Sequence, residues 1–251
     1  MPSRRSRIII AIATVALIAV AAWLLLAPRL GGEPEVAPRW SPPVPLPPAA
    51  EQVGPTSAWV DDDWLERTAE ATDIPIRALA AYAGVSVFQV DFRPDCGLSW
   101  TILAAVGYVE SRHGTHDGSS LQEDGTAVPP IYGVSLSGGE TDRIPDTDGG
   151  AIDGDAEFDR ALGPLQMIPE SWRNWGYDGN LDGAVDPQNI DDASHAAANY
   201  LCRASAAGLD VEEGWRAGIA AYNSNPAYID AVATAAEGYR AAVTDDPADD
   251  Q

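Results

Sequence analysis

At 251 residues with a formal net charge of −23, the chain is long enough for one sizeable core and has the wrong sign for nucleic acid or an anionic lipid surface. Such a charge suits a soluble extracellular domain and excludes a polybasic binding function. Only two cysteines occur, Cys96 and Cys202.

Arg4, Arg5 and Arg7 precede an uninterrupted apolar run from Ile8 to Ala27, long enough to cross a bilayer. The positive flank assigns residues 1–7 to the cytoplasm, residues 8–27 to an uncleaved anchor in the cell membrane, and the rest of the chain to the extracytoplasmic side. A cleaved signal peptide, giving a secreted form, is the competing reading. Against it, the apolar stretch exceeds the usual h-region and no clear small-x-small site precedes Pro28. Residues 28–57 are proline-rich, with the run Pro42-Pro43-Val44-Pro45-Leu46-Pro47-Pro48, and read as an extended polyproline II spacer. In an oxidising compartment the even cysteine pair is expected to be bonded; two buried free thiols are the alternative.

The folded domain is expected over residues 58–243 and is mainly α. Asp61 to Thr72 has the acidic start and apolar spacing of an amphipathic helix. Asp73-Ile74-Pro75 predicts an N-cap and a first-turn proline for a second helix with Ile76, Leu79, Ala80 and Ala83 on its buried stripe. A third helix runs from Ser99 towards Gly114. The segment from Gly114 to Gly163 is rich in Gly, Asp and Pro, a long acidic loop of the kind that borders a site, with room for a small β hairpin over Val128 to Leu136. Helical signals resume at Pro169–Trp172, Asp191–Ala206, Val211–Tyr222 and Pro226–Tyr239, with Asn225 as a cap. Residues 244–251 read as an acidic disordered tail.

Glu110 stands out in the third helix. An acid in the last turn lies near the negative end of the helix dipole. Its i, i+3, i+7 spacing with Leu103 and Val106 puts the carboxyl on an inward apolar face. Desolvation there raises a carboxyl pKa, which is how a Glu becomes a general acid near neutral pH. An exposed Glu on a frayed helix end is the structural alternative.

Three blocks then occur in order: Glu110-Ser111, Gly163-Pro164-Leu165-Gln166-Met167-Ile168-Pro169, and Ala221-Tyr222-Asn223-Ser224-Asn225-Pro226. With Ile74–Tyr82, Asp146–Asp155 and Asp159–Leu162, they resemble the lytic transglycosylases of the lysozyme superfamily, most closely the membrane-bound lytic transglycosylase B branch in its actinobacterial form. The resemblance covers residues 59–240. It implies a lysozyme-like domain that cleaves the β-1,4 bond between N-acetylmuramic acid and N-acetylglucosamine in peptidoglycan glycan strands and leaves a 1,6-anhydromuramoyl end. It implies Glu110 as the one catalytic carboxylate, with Gln166, Tyr222 and Asn223 binding substrate, Ser111 either orienting Glu110 or contacting the glycan, and no cofactor.

Tyr132, with Tyr228 and Trp172, is a candidate for stacking on sugar faces, although aromatics more often belong to the core. Asp178-Gly179-Asn180-Leu181-Asp182-Gly183 opens like an EF-hand loop, but position 12 is Asn189 instead of a bidentate Glu, so no metal site is expected there. The acids between Asp142 and Asp159 leave open a cation site or a solvated loop. Two further classes stand beside the enzyme: a non-catalytic glycan-binding module of the cell-wall machinery, and a calcium-dependent structural domain.

Overall fold

The computed structural model describes residues 40–139 and 141–244. The expectations of a cytoplasmic segment at 1–7, an anchor at 8–27, the start of a spacer and a tail beyond Thr244 fall on residues outside this range. Among the described residues no helix is long and apolar enough to cross a membrane.

Seven α-helices and four short strands are described: α1 (Asp62–Thr72), α2 (Ile76–Phe92), α3 (Trp100–Ser111), β1 (Ser120–Leu121), β2 (Ala127–Val128), β3 (Tyr132–Ser135), β4 (Arg160–Leu162), α4 (Pro169–Trp175), α5 (Ile190–Ala204), α6 (Glu212–Tyr222) and α7 (Pro226–Thr244). The class is mainly α, as the residue pattern predicts. α3 is apolar on nearly every side, and every residue from Trp100 to Gly107 is buried. A helix without a polar face has to occupy the centre. Accordingly α3 packs most extensively on α7 and also on α2, while α2 packs in turn on α5. Trp100, Tyr82, Leu79, Leu201 and Trp215 are among the largest fully buried side chains.

Local capping explains several helix starts. Asp61 accepts from Trp64 N–H at 2.9 Å, Ser99 caps α3, and Asn189 accepts from Asp191 N–H at 2.9 Å to start α5. Asn225 accepts from Ala227 N–H at 2.9 Å at the start of α7. The expected cap at Asp73 is corrected. Asp73 takes a left-handed φ of 56° and closes α1, while α2 begins after Pro75 without a side-chain cap.

The spacer also needs correction. From Trp40 onward the proline-rich segment lies on the domain: Trp40 and Val44 pack against the core and Ser41 donates to Glu237 of α7 at 3.2 Å. Its backbone is tied at Ala50 N–H to Trp59 C=O and at Asp61 N–H to Pro48 C=O. Thr56 Oγ1 lies 2.9 Å from Nε2 of the buried His195. Polyproline II leaves carbonyls and side chains free, so it can lie on a surface as readily as span a gap.

Cys96 and Cys202 are bonded, joining the turn after α2 to the end of α5 across 106 residues of sequence. The strands form two antiparallel pairs, β1 with β2 and β3 with β4. Between β3 and β4 the acidic segment folds back on itself: Leu136 N–H donates to Asp159 C=O, Ile144 N–H to Leu136 C=O, and Asp159 N–H to Ile144 C=O. What reads in sequence as one long loop is an ordered excursion.

Candidate active site

Glu110 sits in the last turn of α3, which ends through Arg112 and His113, both with left-handed φ, and Gly114. Leu103 and Val106 beneath it are fully buried, so the same face carries the Glu110 side chain inward. Burial pushes its carboxyl up from 4.5 to about 7, and a hydrogen bond from Tyr228 pulls part of the way back. Tyr228, on the first turn of α7, donates to Glu110 Oε1 at 2.5 Å. Tyr222 and Tyr228 both have pKa values raised well above the ordinary phenol by burial first and the Glu110 charge second, so they remain neutral donors.

The turn from Gly163 to Ile168 brings Gln166 to the same place. Gly163 has φ +67°, and a Cβ there would lie 1.7 Å from the Pro187 carbonyl oxygen, so only glycine fits. Gln166 itself is left-handed at φ 47°, a conformation that costs a non-glycine residue about 1–2 kcal/mol. Three contacts hold it. The Gln166 amide donates to Gly163 C=O at 2.9 Å, Tyr222 Oη donates to Leu165 C=O at 2.7 Å, and Ser111 Oγ donates to Pro164 C=O at 2.6 Å.

These elements enclose a cleft of about 970 Å³ lined by Glu110, Gln166, Tyr222, Asn223 and Asn225, together with Leu136, Thr141, Asp142 and Ile144 of the β3–β4 excursion. The structure therefore brings Glu110, Gln166, Tyr222 and Asn223 together. It does not bring Ser111 or Tyr132 into the cleft lining. Ser111 is buried, donates to Pro164 C=O and accepts from Gly114 N–H at 2.7 Å, so it ties the end of α3 to the Gln166 turn. Tyr132 lies on β3, 42 % exposed, with the Arg160 guanidinium over its ring. Trp172 is buried in the core.

Tyr228, read from sequence only as an aromatic that could stack, is the direct partner of Glu110. Asp142 was not singled out by pattern, yet it is the one carboxylate besides Glu110 among the residues lining the cleft. The signal for Tyr228 was its place in the first turn after Asn225-Pro226, next to the Ala-Tyr-Asn block; for Asp142 it was only membership of the long acidic loop expected to border the site.

The acidic residues elsewhere shape backbone. Asp146 accepts from Asp148, Gly149 and Gly150 N–H, Asp148 from Ala151 and Ile152 N–H, and the fully buried Asp159 from Thr147 N–H and Oγ1–H. Carboxylate oxygens of these three residues lie within 4.8 Å of one another, and among the described residues they form a group whose geometry could hold a cation. The EF-hand-like stretch closes differently. Asp192 of α5 accepts from Gly179, Asn180 and Asp186 N–H, Asp178 and Asp182 accept backbone N–H groups, and Asn189 caps α5. Position 12 is thus turned to a helix terminus.

A half-buried carboxyl with a pKa near neutrality, in the wall of an open polar cleft, can both give and take a proton at physiological pH. Residues 156–222 match the family described as the transglycosylase SLT domain. That match supports lytic transglycosylase action on peptidoglycan within the lysozyme-like superfamily, and the mainly helical fold is consistent with it. It spans the Gln166 turn and ends at Tyr222, while Glu110 lies before it. No curated protein and no solved structure matches the chain.

Proposed function

We propose that this chain is a peptidoglycan lytic transglycosylase in which Glu110 makes both proton transfers. The observation that carries the reading is the Glu110 carboxyl, raised to about 7 and hydrogen-bonded by Tyr228, in a cleft that residues of the β3–β4 excursion also line. Protonated Glu110 gives its proton to the glycosidic oxygen as the bond to the muramoyl C1 breaks, and the acetamido oxygen of the same sugar stabilises the electron-poor C1. The Glu110 carboxylate then takes the proton from the C6 hydroxyl, whose oxygen bonds to C1. Water is not consumed, and Glu110 ends protonated as it began.

Tyr228 assists the second state, since a hydroxyl that donates to a carboxylate favours the ionised form. Gln166 and Asn223 present amide groups to the glycan, and Tyr222, its hydroxyl bonded to Leu165 C=O, lines the cleft beside them. Anchorage through residues 8–27, with the domain outside the membrane, belongs to the same proposal, and the bonded cysteine pair fits an oxidising compartment.

One observation favours a second reading. Asp142 lies in the same cleft, and a hydrolase uses two carboxylates flanking the scissile bond. Mass spectrometry of purified peptidoglycan treated with the full chain, beside its Glu110→Gln form, separates the readings. Anhydromuramoyl products from the unmodified protein alone support the transglycosylase; hydrated reducing ends support the hydrolase. Retention on insoluble wall without products from either form sinks both enzyme readings and points to the binding module.

A further inference from the structure

His113 lies three residues beyond Glu110, in the left-handed run that ends α3, and it is only 4 % exposed. Its backbone N–H caps the helix on Gly107 C=O at 2.9 Å, which turns the side chain back beneath the terminus. There Nδ1 lies 3.3 Å from Tyr82 Oη of α2, and Nε2 lies 2.9 Å from Tyr239 Oη of α7. Both ring nitrogens are therefore engaged. A neutral imidazole has one donor and one acceptor, and each of the two phenols can take either role, so the arrangement is satisfied in either tautomer.

The surroundings are built for this contact. Gly107 leaves space for Tyr82, since a Cβ there would lie 2.1 Å from its hydroxyl oxygen. Tyr108 of α3 and Arg112 just beyond its end complete the ring of groups facing the imidazole: Tyr108 lies edge-on to Tyr239, and the Arg112 guanidinium sits 4.0 Å over the Tyr108 ring. Burial, with Arg112 adding to it, pushes His113 down to about 4, so the imidazole is neutral wherever Glu110 titrates.

Tyr239 and Tyr228 are both on α7 and eleven residues apart, which returns them to nearly the same face after about three turns. That face touches the end of α3 twice, at Glu110 through Tyr228 and at His113 through Tyr239. We propose that the His113–Tyr239 contact is a clasp that fixes the register of α7 against α3 and thereby holds Tyr228 on Glu110, making His113 and Tyr239 positioning residues for the proton-transfer site. Neither residue lines the cleft. The inference rests on the transglycosylase reading for its meaning in turnover, but not for its geometry.

The test uses the full chain with 13C-labelled glutamate, following the Glu110 carboxyl by NMR through a pH titration. The groups facing that carboxyl are Tyr228 of α7 and Tyr222 of α6, with Asp142 among the residues lining the same cleft. Tyr228→Phe removes the donor directly and sets the benchmark: the midpoint rises by about half a pH unit or more. Tyr239→Phe, which keeps the ring and loses only the hydroxyl, is expected to move the midpoint in the same direction and to lower kcat about tenfold or more with KM nearly unchanged. In the double variant the two effects do not add, because one acts through the other.

His113→Gln, which retains a donor and an acceptor, is expected to lie between the unmodified protein and Tyr239→Phe, and it replaces that variant should the latter not fold. A Glu110 midpoint unmoved in both variants, or effects that add to those of Tyr228→Phe, overturns the clasp even where melting temperature falls. Because the titration needs no substrate, a protein inactive on peptidoglycan would refute the functional reading and leave this result standing on its own.

Discussion

Tyr228 Oη donates to Glu110 Oε1 at 2.5 Å, joining the first turn of α7 to the last turn of α3 across 118 residues of sequence. The bond lowers the Glu110 pKa while burial raises it, and burial prevails. Because the folded pKa of about 7 lies above the ordinary 4.5, the folded state holds the proton more tightly than the unfolded chain. Stability from this source is fully present below about pH 4.5 and is lost as pH rises towards 7. The loss is on the order of 3 kcal/mol, at about 1.4 kcal/mol for each tenfold change in the protonation equilibrium. Glu110→Gln should therefore melt near the unmodified protein at pH 4.5 and above it at pH 8, while turnover falls by about 10² to 10⁴-fold. Melting curves at the two pH values test the first statement; a constant difference between the two proteins would contradict it.

Asp142 decides between one carboxylate and two. If Glu110 serves both proton transfers, Asp142→Asn keeps kcat within about threefold, since its removal touches neither transfer. A hydrolase using Asp142 as nucleophile or base would lose about 10²-fold or more. Initial rates on purified peptidoglycan give the answer, and the comparison is clean because Asp142 is an exposed wall residue whose loss should barely change stability.

The domain begins earlier than its helices do. A chain starting at residue 58 loses the Trp40 and Val44 packing and the Ser41–Glu237 bond, and it leaves His195 Nε2 without Thr56. One buried polar group left without a partner costs about 1–3 kcal/mol, and the lost apolar cover adds to it. A melting temperature lower by roughly 6–12 °C than that of a chain starting at residue 40 is the expected outcome. Equal melting temperatures would show that the proline-rich segment contributes nothing to the fold.

Reduction of Cys96–Cys202 releases a loop of 106 residues. Chain entropy assigns such a crosslink about 4–5 kcal/mol, with measured values often smaller. The Cys96→Ser, Cys202→Ser double variant should melt well below the unmodified protein and should keep the Glu110–Tyr228 contact at temperatures where it is folded. Denaturant titration checks it; an unchanged midpoint would mean that helix packing alone holds α2 to α5.

Much of this could be read in one dimension. Helix starts at Asp61, Ser99 and Asn225 were legible because their side chains bond backbone within three residues, whereas the cap at Asn189 and the burial of α3 on nearly every side emerged from the structure. Glu110 was visible because its spacing with Leu103 and Val106 is a property of α3 alone. Where several local signals competed, as at Asp73-Ile74-Pro75, the reading went wrong: Asp73 closed one helix instead of opening the next.

What composition and periodicity settled by themselves was the mainly α class, the position of Glu110 at a helix end and the pairing expected of two cysteines, because each depends on groups near in sequence or on counts. Tertiary structure alone decided which neighbours desolvate Glu110, that Tyr228 and not Ser111 bonds it, and that the acids of the β3–β4 excursion hold backbone N–H groups. Desolvation and long-range hydrogen bonds depend on what lies across the gap, and only packing brings residues 110 and 228, or 113 and 239, to the same place.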